Sequence, residues 1–401
     1  MLSATINLYR NAYTGLTYRM WLLAGVMLIN RCGSMVLAFM TLYINHIGYS
    51  MSMAGFVVAV YGMGSLAGAF IGGKISDRFG FYYTQFFALF CGGILFIVLG
   101  QMKSYYSICV CTFFLSMVNE SFRPAHATAI AHYSTPQNRT QAFSINRLAI
   151  NLGWGIGGAL GGFLASFNYH LLFWVDGLTN ISAALLLLLL LPKVSLAQQH
   201  NINRINTEKV KPKPAYTDKT FLYFIGLQIL FSICFFQLFT TIPLYFKQGL
   251  HINEFWIGIL MAMNGVIIAL VEMVIVFKLE GRRPYLQLIT YGTIIMAVSF
   301  FILNVPFIHG FIIAVLSMLL MTFAEMTALP FMNSYYISRS ADGNRGQYAG
   351  YYTMAWSAAQ IIGSTTGTQI SASIGFTNLW WIIGGVCLLT AFGYHTLFTK
   401  N

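Results

Sequence analysis

The chain has 401 residues, of which 57% are apolar and 8% charged, and its mean hydropathy is +0.69. Soluble domains carry about 25% charged residues, so this composition excludes an ordinary soluble enzyme. The net charge of +12 does not indicate nucleic-acid binding, because most Lys and Arg lie between apolar stretches and report membrane topology instead.

Apolar stretches long enough to cross a bilayer recur from one end of the sequence to the other. A helix rises 1.5 Å per residue and the hydrocarbon core is about 30 Å thick, so each span needs about 20 residues. The sequence predicts an all-α membrane protein with twelve transmembrane helices, numbered here as spans 1 to 12. Their predicted limits are 20–44, 52–71, 84–101, 105–131, 142–165, 171–191, 220–245, 255–277, 285–304, 310–336, 346–370 and 377–398.

Basic residues concentrate on one side of this arrangement. Seventeen of the 22 Lys and Arg lie in the N-terminus, the even-numbered loops and the C-terminus, whereas the odd-numbered loops hold Lys103 and Lys247. The positive-inside rule then places both termini in the cytoplasm, and we expect a multi-pass protein of a bacterial inner membrane. The basic stretch 192–219 is predicted to be a cytoplasmic linker between a six-helix half at 1–191 and another at 220–401.

An internal repeat supports this division into halves. A single offset of 206 residues, without gaps, pairs identical residues over about 40 positions. The pairs are Pro124 with Pro330, Asn138-Arg139 with Asn344-Arg345, Gln141 with Gln347, Ala149 with Ala355, Gly157 with Gly363, and Gly161 with Gly367. Parallel repeats of this kind occur in transporters whose substrate site lies between the halves near the bilayer midplane.

The segment that follows span 2, GGKISDRFG, combines glycines with charges. We expect a short loop in which Gly73 and Gly80 allow a tight reversal, and we assign both glycines, Asp77 and Arg78 to a cytoplasmic gate. Asp77 would accept hydrogen bonds from N–H groups at a helix N-terminus in the other half and so close the cytoplasmic side. The alternative is that these charges only enforce topology.

Span 5 contains glycines at helical spacing in the sequence GWGIGGALGG. Gly153, Gly157 and Gly161 recur every fourth residue, and Gly162 adjoins them. Small residues on one face let two backbones approach closely in a membrane, so we interpret this run as a helix-packing surface.

These segments resemble sequence motifs of the major facilitator superfamily, and the resemblance extends over essentially the whole chain. GGKISDRFG is similar to the superfamily's loop signature, and the span 5 run is similar to its antiporter signature, with Gly158 in place of a proline. NESFRPAHATAIAHY in span 4 is similar to a segment of multidrug/proton antiporters. The resemblance implies two six-helix halves that alternate access to a small-molecule substrate, exchange with protons, and no cofactor or metal.

Seven ionisable residues fall inside the predicted spans: Arg31, Glu120, Arg123, Arg147, Asp176, Glu272 and Glu325. Each costs roughly 2.5 to 3.5 kcal/mol at the centre of a span on insertion scales, so such residues usually mark pathways or pairs. Arg31, Glu120 and Glu325 lie closest to their span centres. Glu120 and Arg123, three residues apart on one helix face, are predicted to form an ion pair.

Proton coupling is assigned first to Glu325, the carboxylate at mid-membrane in the half without a basic residue at that depth. A carboxylate removed from water can take up a proton instead of a counter-ion, which suits a proton carrier. Glu120 and His126 are the other candidates, since histidine titrates near neutrality. The alternative is that these charges pair permanently and only fix helix packing.

The remaining site residues are predicted from how deep they lie in the membrane. Arg147 and Glu272, towards the cytoplasmic ends of their spans, and Arg139, in the cytoplasmic loop before span 5, are assigned to a cytoplasmic gate. The substrate cavity is expected to be lined by polar or aromatic residues near mid-depth: Asn30, Arg31, Glu120, Arg123, Asn151, Gln237, Asn264, Glu325, Trp356 and Gln360.

Two modes of transport compete as the predicted function. Proton antiport that exports amphipathic, drug-like molecules is favoured by the antiporter-like glycines and by carboxylates in both halves. Proton symport of an anionic or zwitterionic nutrient, such as a small peptide or carboxylate, is favoured by Arg31 and Arg123, whose guanidinium groups bind anions well. No nucleotide loop, metal cluster or nucleophile motif supports an enzyme, and we expect a monomer in the lipid bilayer.

Overall fold

A computed structural model describes residues 11, 13–49, 51–192, 214–305, 310–341 and 343–400. Within these ranges all regular structure is helical, which confirms the all-α prediction. A helix satisfies its backbone hydrogen bonds internally, so it is the form in which such an apolar chain can cross lipid. Most of the predicted linker, at 193–213, lies outside the described residues.

The first six spans occupy nearly the predicted positions. Span 1 consists of two helices and span 4 of two, whereas spans 2, 3, 5 and 6 are each one helix. Their limits are Tyr18–Cys32 with Met35–His46, Met51–Phe79, Phe81–Gln101, Tyr105–Glu120 with Phe122–Tyr133, Arg139–Phe167, and His170–Leu190.

The second half repeats this order. Span 7 is again broken, with a 3₁₀ turn between its two helices, and spans 11 and 12 form one helical stretch that bends at Gly375, where φ is +84°. The limits are Lys219–Phe235 with Thr241–Gln248, Glu254–Leu279, Tyr285–Phe301, Gly310–Ser338 and, for spans 11 and 12 together, Arg345–Thr399.

Twelve spans are therefore present in the described part of the chain. Ten helical stretches are long and apolar enough to cross a membrane as single units. Span 4 is not among those ten, and spans 11 and 12 count there as one stretch.

One predicted boundary is wrong in an informative way. Span 2 was expected to end at residue 71, before a loop, but its helix continues to Phe79, so Gly73, Asp77 and Arg78 are helical. The segment contains no helix-breaking proline, and glycine alone costs a helix only about 1 kcal/mol. The reversal is confined to Gly80, whose φ of +87° favours glycine.

The described residues form two compact units. The N unit contains the described residues of 16–217 and 340–354, and the C unit contains residues 11 and 13–15 and the described residues of 218–339 and 355–400. The units differ from the predicted halves in two places. Residues 11 and 13–15 group with the C unit, and 340–354, the loop before span 11 and the first turns of that span, packs with the N unit.

Candidate functional site

A charged cluster lies at mid-membrane in the N unit. Arg123 Nη1 donates to Glu120 Oε2 at 3.2 Å, so the predicted pairing of these residues is present in the structure. Arg31 of span 1 and Tyr61 of span 2 interact electrostatically with both members of this pair. We refer to Arg31, Tyr61, Glu120 and Arg123 as the charged cluster.

The charged cluster is partly open to its surroundings. The side chain of Glu120 is 9% exposed and that of Arg123 is 30% exposed, and Arg31 and Tyr61 are also half-buried. Polar groups at this depth are too costly to face lipid and instead face a water-filled space or each other. The charged cluster therefore has the position and exposure of groups that line a substrate pathway.

His126 lies behind this cluster in a buried polar network. Its Nδ1 lies 2.9 Å from Gln85 Oε1 and its Nε2 lies 2.7 Å from Asn146 Oδ1. The Nε2 of Gln85 donates to the Phe81 carbonyl at 3.3 Å, which leaves the Gln85 oxygen for the ring and makes Nδ1 a donor. The ring thus connects spans 3, 4 and 5 and is 1% exposed.

Span 1 breaks immediately after Arg31, and buried polar side chains stabilise the break. Asp176 of span 6 accepts hydrogen bonds from the N–H groups of Met35 and Val36, at 3.2 and 2.7 Å. A carboxylate at a helix N-terminus satisfies free N–H groups and interacts well with the helix dipole. Asn30 donates to Asn180 at 2.8 Å, so the structure places Asn30 against span 6.

Span 7 breaks at the equivalent place in the repeat. Position 31 plus the offset of 206 is position 237, and Gln237 lies in the 3₁₀ turn Phe236–Phe239. Gln237 Nε2 donates to the carbonyls of Ile233 and Gly363, both at 2.9 Å, and its Oε1 accepts from Thr241 at 2.7 Å. The structure thus uses both polar atoms of Gln237 within the C unit.

Glycines bring a neighbouring helix against each break. In the N unit, Cβ atoms added at Gly153 or Gly157 would overlap the backbone of span 1 near Arg31, and one at Gly161 would overlap Phe39. Gly162 has open space instead. In the C unit Gly363 and Gly367 meet span 7 in the same way. The repeat therefore preserves the pairing of spans 1 with 5 and 7 with 11.

The mid-membrane residues of the C unit are different in chemistry. Glu325 of span 10 is 3% exposed, and one turn away on the same helix Thr322 accepts a hydrogen bond from Asn264 at 2.9 Å. Trp356 packs against the rings of Phe235 and Phe236, with centroids 5.3 and 5.1 Å apart. Spans 7, 8, 10 and 11 thus contribute aromatic and neutral polar side chains, and span 10 adds the buried carboxylate of Glu325.

Asp77 forms the hydrogen bonds expected of it. Its two oxygens accept from the N–H groups of Gly346 and Gln347, at 2.7 and 2.8 Å, in the first turn of span 11. Gly73, one turn earlier, lies so close to the Gly346 carbonyl that a Cβ there would overlap it. Arg78 is exposed beside them. The end of span 2 is thus bonded to the start of span 11 inside the N unit.

The other predicted residues take separate places. Arg147 is half-buried and interacts electrostatically with Tyr352, Arg139 and Glu272 are buried, and Gln360 is exposed. The Nδ2 of Asn151 is buried and has no hydrogen-bond partner in the described part of the chain. Across the described ranges no group of three His, Cys, Asp or Glu side chains could hold a metal.

Some contacts were not anticipated from the sequence. Asp218 accepts two hydrogen bonds at 3.0 Å from Arg339 and also caps span 7 through the Phe221 N–H. A bidentate Arg–carboxylate pair fixes geometry as well as charge. It ties the start of span 7 to the end of span 10. Asp218 directly before an apolar run was a readable helix-capping signal.

Comparison with known sequences agrees with this architecture. A family model described as Major Facilitator Superfamily matches residues 22–364. The chain is 24% identical over 406 residues to a Na(+), Li(+), K(+)/H(+) antiporter of Planococcus maritimus, with 94% of each chain covered. It is 22% identical over 320 residues to Multidrug resistance protein 2 of Bacillus subtilis (strain 168), with 79% of each covered.

Solved structures share the fold. The proton:xylose symporter XylE, bound to 6-bromo-6-deoxy-D-glucose, superposes with a TM-score of 0.72 at 18% identity. The match covers 94% of this chain and 95% of that one. At this identity the similarity establishes the arrangement of helices alone, including the twelve-span plan.

Proposed function

The chain belongs to the major facilitator superfamily and is a membrane transporter, not an enzyme; on that premise we propose that it exports amphipathic small molecules by proton antiport. Alternating access of the two sequence halves moves the substrate across a bacterial inner membrane, with both termini cytoplasmic. Protons flowing inward drive the cycle, and Glu325 carries them.

The observation that carries this proposal is the different setting of the two mid-membrane carboxylates. Glu120 is 3.2 Å from Arg123 and is held as one member of an ion pair. Glu325 is buried in span 10, and no Lys or Arg occurs near mid-depth in the sequence of spans 7 to 12. A carboxylate in such surroundings can alternate between protonated and ionised forms as access changes.

The direction of coupling is supported by the relatives. The relative of Planococcus maritimus is named as an antiporter of cations and protons, and the relative of Bacillus subtilis is named for multidrug resistance. The glycine contacts of span 5 with span 1 are consistent with the antiporter-like motif. Asp77 acts as a latch whose bonds to the start of span 11 must break and re-form in each cycle.

Symport of an anionic nutrient is the second candidate. It is favoured by one observation, the two guanidinium groups of the charged cluster against one carboxylate. Antiport and symport differ in the side on which substrate accumulates under a pH gradient, so one assay separates them.

That assay uses the purified protein in liposomes with an imposed pH gradient. If the vesicle interior is acidic, antiport lets protons leave while amphipathic substrates enter and accumulate. Symport requires the opposite gradient. Protein-free liposomes correct for passive partition of weak acids and bases. Accumulation only in alkaline vesicles would replace antiport by symport, and no gradient-driven flux with any amphipathic compound would refute both.

A further inference from the structure

We propose that the transported substrate carries an anionic group, a carboxylate or a chemically similar oxyanion, and that Arg31 binds it at mid-membrane in the N unit. This inference rests on the proposed transport function and names the chemistry of its substrate. Arg31 then recognises the substrate, while Glu120 and Arg123 neutralise each other in their ion pair.

The charged cluster has a net positive charge. Two guanidinium groups, Arg31 and Arg123, accompany one carboxylate, Glu120. Glu120 Oε2 is already bonded to Arg123. One positive charge in a partly desolvated place therefore remains without its own counter-ion in the charged cluster, and an isolated charge in such surroundings is costly. An anionic ligand would neutralise it.

Two buried hydrogen-bond donors in this part of the N unit have no acceptor among the described residues. The Nε of Arg31 is a buried nitrogen with no acceptor in the described ranges. The Nδ2 of Asn151 is another, and Asn151 lies two residues before Gly153, a glycine of span 5 that meets Arg31. The nearby Asn119 does have an unused oxygen, but that atom faces Gly92 of span 3. Buried donors without partners are rare because each costs about 1–3 kcal/mol. A ligand whose oxygen atoms accept hydrogen bonds would satisfy these unpaired donors.

Arg31 is not needed to stabilise the helix break beside it. Asp176 and Asn180 provide the polar contacts of that break through Met35, Val36 and Asn30. At the equivalent position in the repeat the neutral Gln237 satisfies the backbone of its own break. A guanidinium at position 31 adds a planar fork of donors that matches a carboxylate.

The membrane potential favours export of an anion in exchange for a proton. Exporting an anion while importing a proton moves positive charge inward in both steps. Each elementary charge gains about 2.3 kcal/mol per 100 mV of inside-negative potential. Proton antiport of an organic anion is therefore strongly driven.

The test measures binding of dansylglycine, an amphipathic aromatic carboxylate, and of its neutral amide, dansylglycinamide, by fluorescence with the full-length purified protein. We expect wild-type protein to bind the carboxylate more tightly than the amide. Arg31→Gln should weaken carboxylate binding by roughly tenfold to hundredfold, as expected for a hydrogen bond to a charged group, and leave amide binding within about twofold. Longer dansyl amino acids and their amides extend the comparison to larger substrates.

Two further variants keep the test decisive. Lys103→Gln removes one positive charge from an exposed loop and should leave both affinities unchanged. Asn151→Ala removes a donor without changing charge and should weaken carboxylate binding several-fold. If Arg31→Gln does not fold, the wild-type preference between acid and amide and the Asn151→Ala result decide. Equal binding of acid and amide in every pair, or equal loss of both in Arg31→Gln, would overturn the proposal.

Failure of this inference can be distinguished from failure of the proposed function. Gradient-driven accumulation of dansylglycine that is untouched by Arg31→Gln would overturn the anionic site and leave antiport standing. Carboxylate binding that depends on Arg31, without any flux under a pH gradient, would overturn antiport and leave the anionic site standing.

Discussion

Positions 31 and 237 occupy the same place in the two repeats, next to a break in the first helix of each half, yet they differ in chemistry. Gln237 makes three hydrogen bonds at 2.7 to 2.9 Å within the C unit. Arg31 has a buried Nε without an acceptor in the described residues. Both halves therefore keep a helix break at the same position of the repeat. Its central side chain makes hydrogen bonds within its own unit at position 237, whereas at position 31 we propose that it binds substrate.

The same contrast extends to the carboxylates around these positions. The N unit holds Glu120 in an ion pair beside a second arginine, whereas Glu325 of the C unit is buried in span 10, in a half of the sequence that has no Lys or Arg near mid-depth. We interpret this as a division of roles, with substrate charge recognised in the N unit and the proton carried in the C unit. The following substitutions test this contrast, beginning with the largest expected effect.

Glu325→Gln should abolish transport driven by a pH gradient, by about a hundredfold or more, because an amide cannot release a proton but matches the protonated acid in size and hydrogen bonding. Substrate exchange without a gradient should persist. The measurement compares gradient-driven uptake with counterflow in liposomes. If Glu325→Gln still concentrates substrate, the proton site lies elsewhere, and Glu120 and His126 become the first candidates.

Glu120→Gln should lower stability as well as transport. It leaves Arg123 and Arg31 without a carboxylate in partly desolvated surroundings, which costs about 1–3 kcal/mol after allowance for the exposure of Arg123. The melting temperature should fall. The double variant Glu120→Gln with Arg123→Gln should recover much of the loss, because it removes a positive charge with the negative one. No recovery would show that the pair is not coupled.

Gln237→Ala should destabilise the protein by about 2–3 kcal/mol, because three buried hydrogen bonds disappear and the carbonyl of Gly363 loses a donor. Arg31→Gln, at the equivalent position, should change stability by less than about 1 kcal/mol, since no described hydrogen bond is lost. Thermal unfolding of both variants under one condition measures the difference. Equal destabilisation would remove the contrast between the two breaks.

Asp77→Asn should leave folding intact and slow transport by about fivefold, which corresponds to roughly 1 kcal/mol of lost charge-assisted hydrogen bonding. The asparagine oxygen can still accept one bond from the start of span 11. Turnover is measured over a range of substrate concentrations, with the melting temperature as control. An unchanged rate at every concentration would make Asp77 a topology residue only.

The number and order of the spans could be predicted because hydropathy alone fixes which segments can cross lipid. The break in span 1 could not, since Gly33 and Ser34 lie inside a continuous apolar run. The 206-residue offset aligns this pair with Phe239 and Thr240, so the two breaks fall at equivalent positions of the repeat. The predicted end of span 2 is too early because charged residues and glycines usually occur in loops.

The site was predicted less completely, because depth in the membrane does not reveal which way a side chain faces. Asn30 and Gln237 were expected to line the cavity, and the structure places their amides in hydrogen bonds with neighbouring helices. Glu120 and Arg123 were read correctly as a pair because a three-residue spacing fixes both on one helix face. No spacing rule connects Arg31 or Tyr61 to them across the fold.

The most direct test of the division of roles follows dansylglycine in liposomes with an acidic interior, for wild type, Glu325→Gln and Arg31→Gln side by side. We expect wild type to accumulate dansylglycine and Glu325→Gln to show counterflow of dansylglycine without accumulation. Arg31→Gln should lose both counterflow and accumulation of dansylglycine but still accumulate the neutral dansylglycinamide. Driven accumulation of dansylglycine in Glu325→Gln, or loss of the amide together with the acid in Arg31→Gln, would contradict this division of roles.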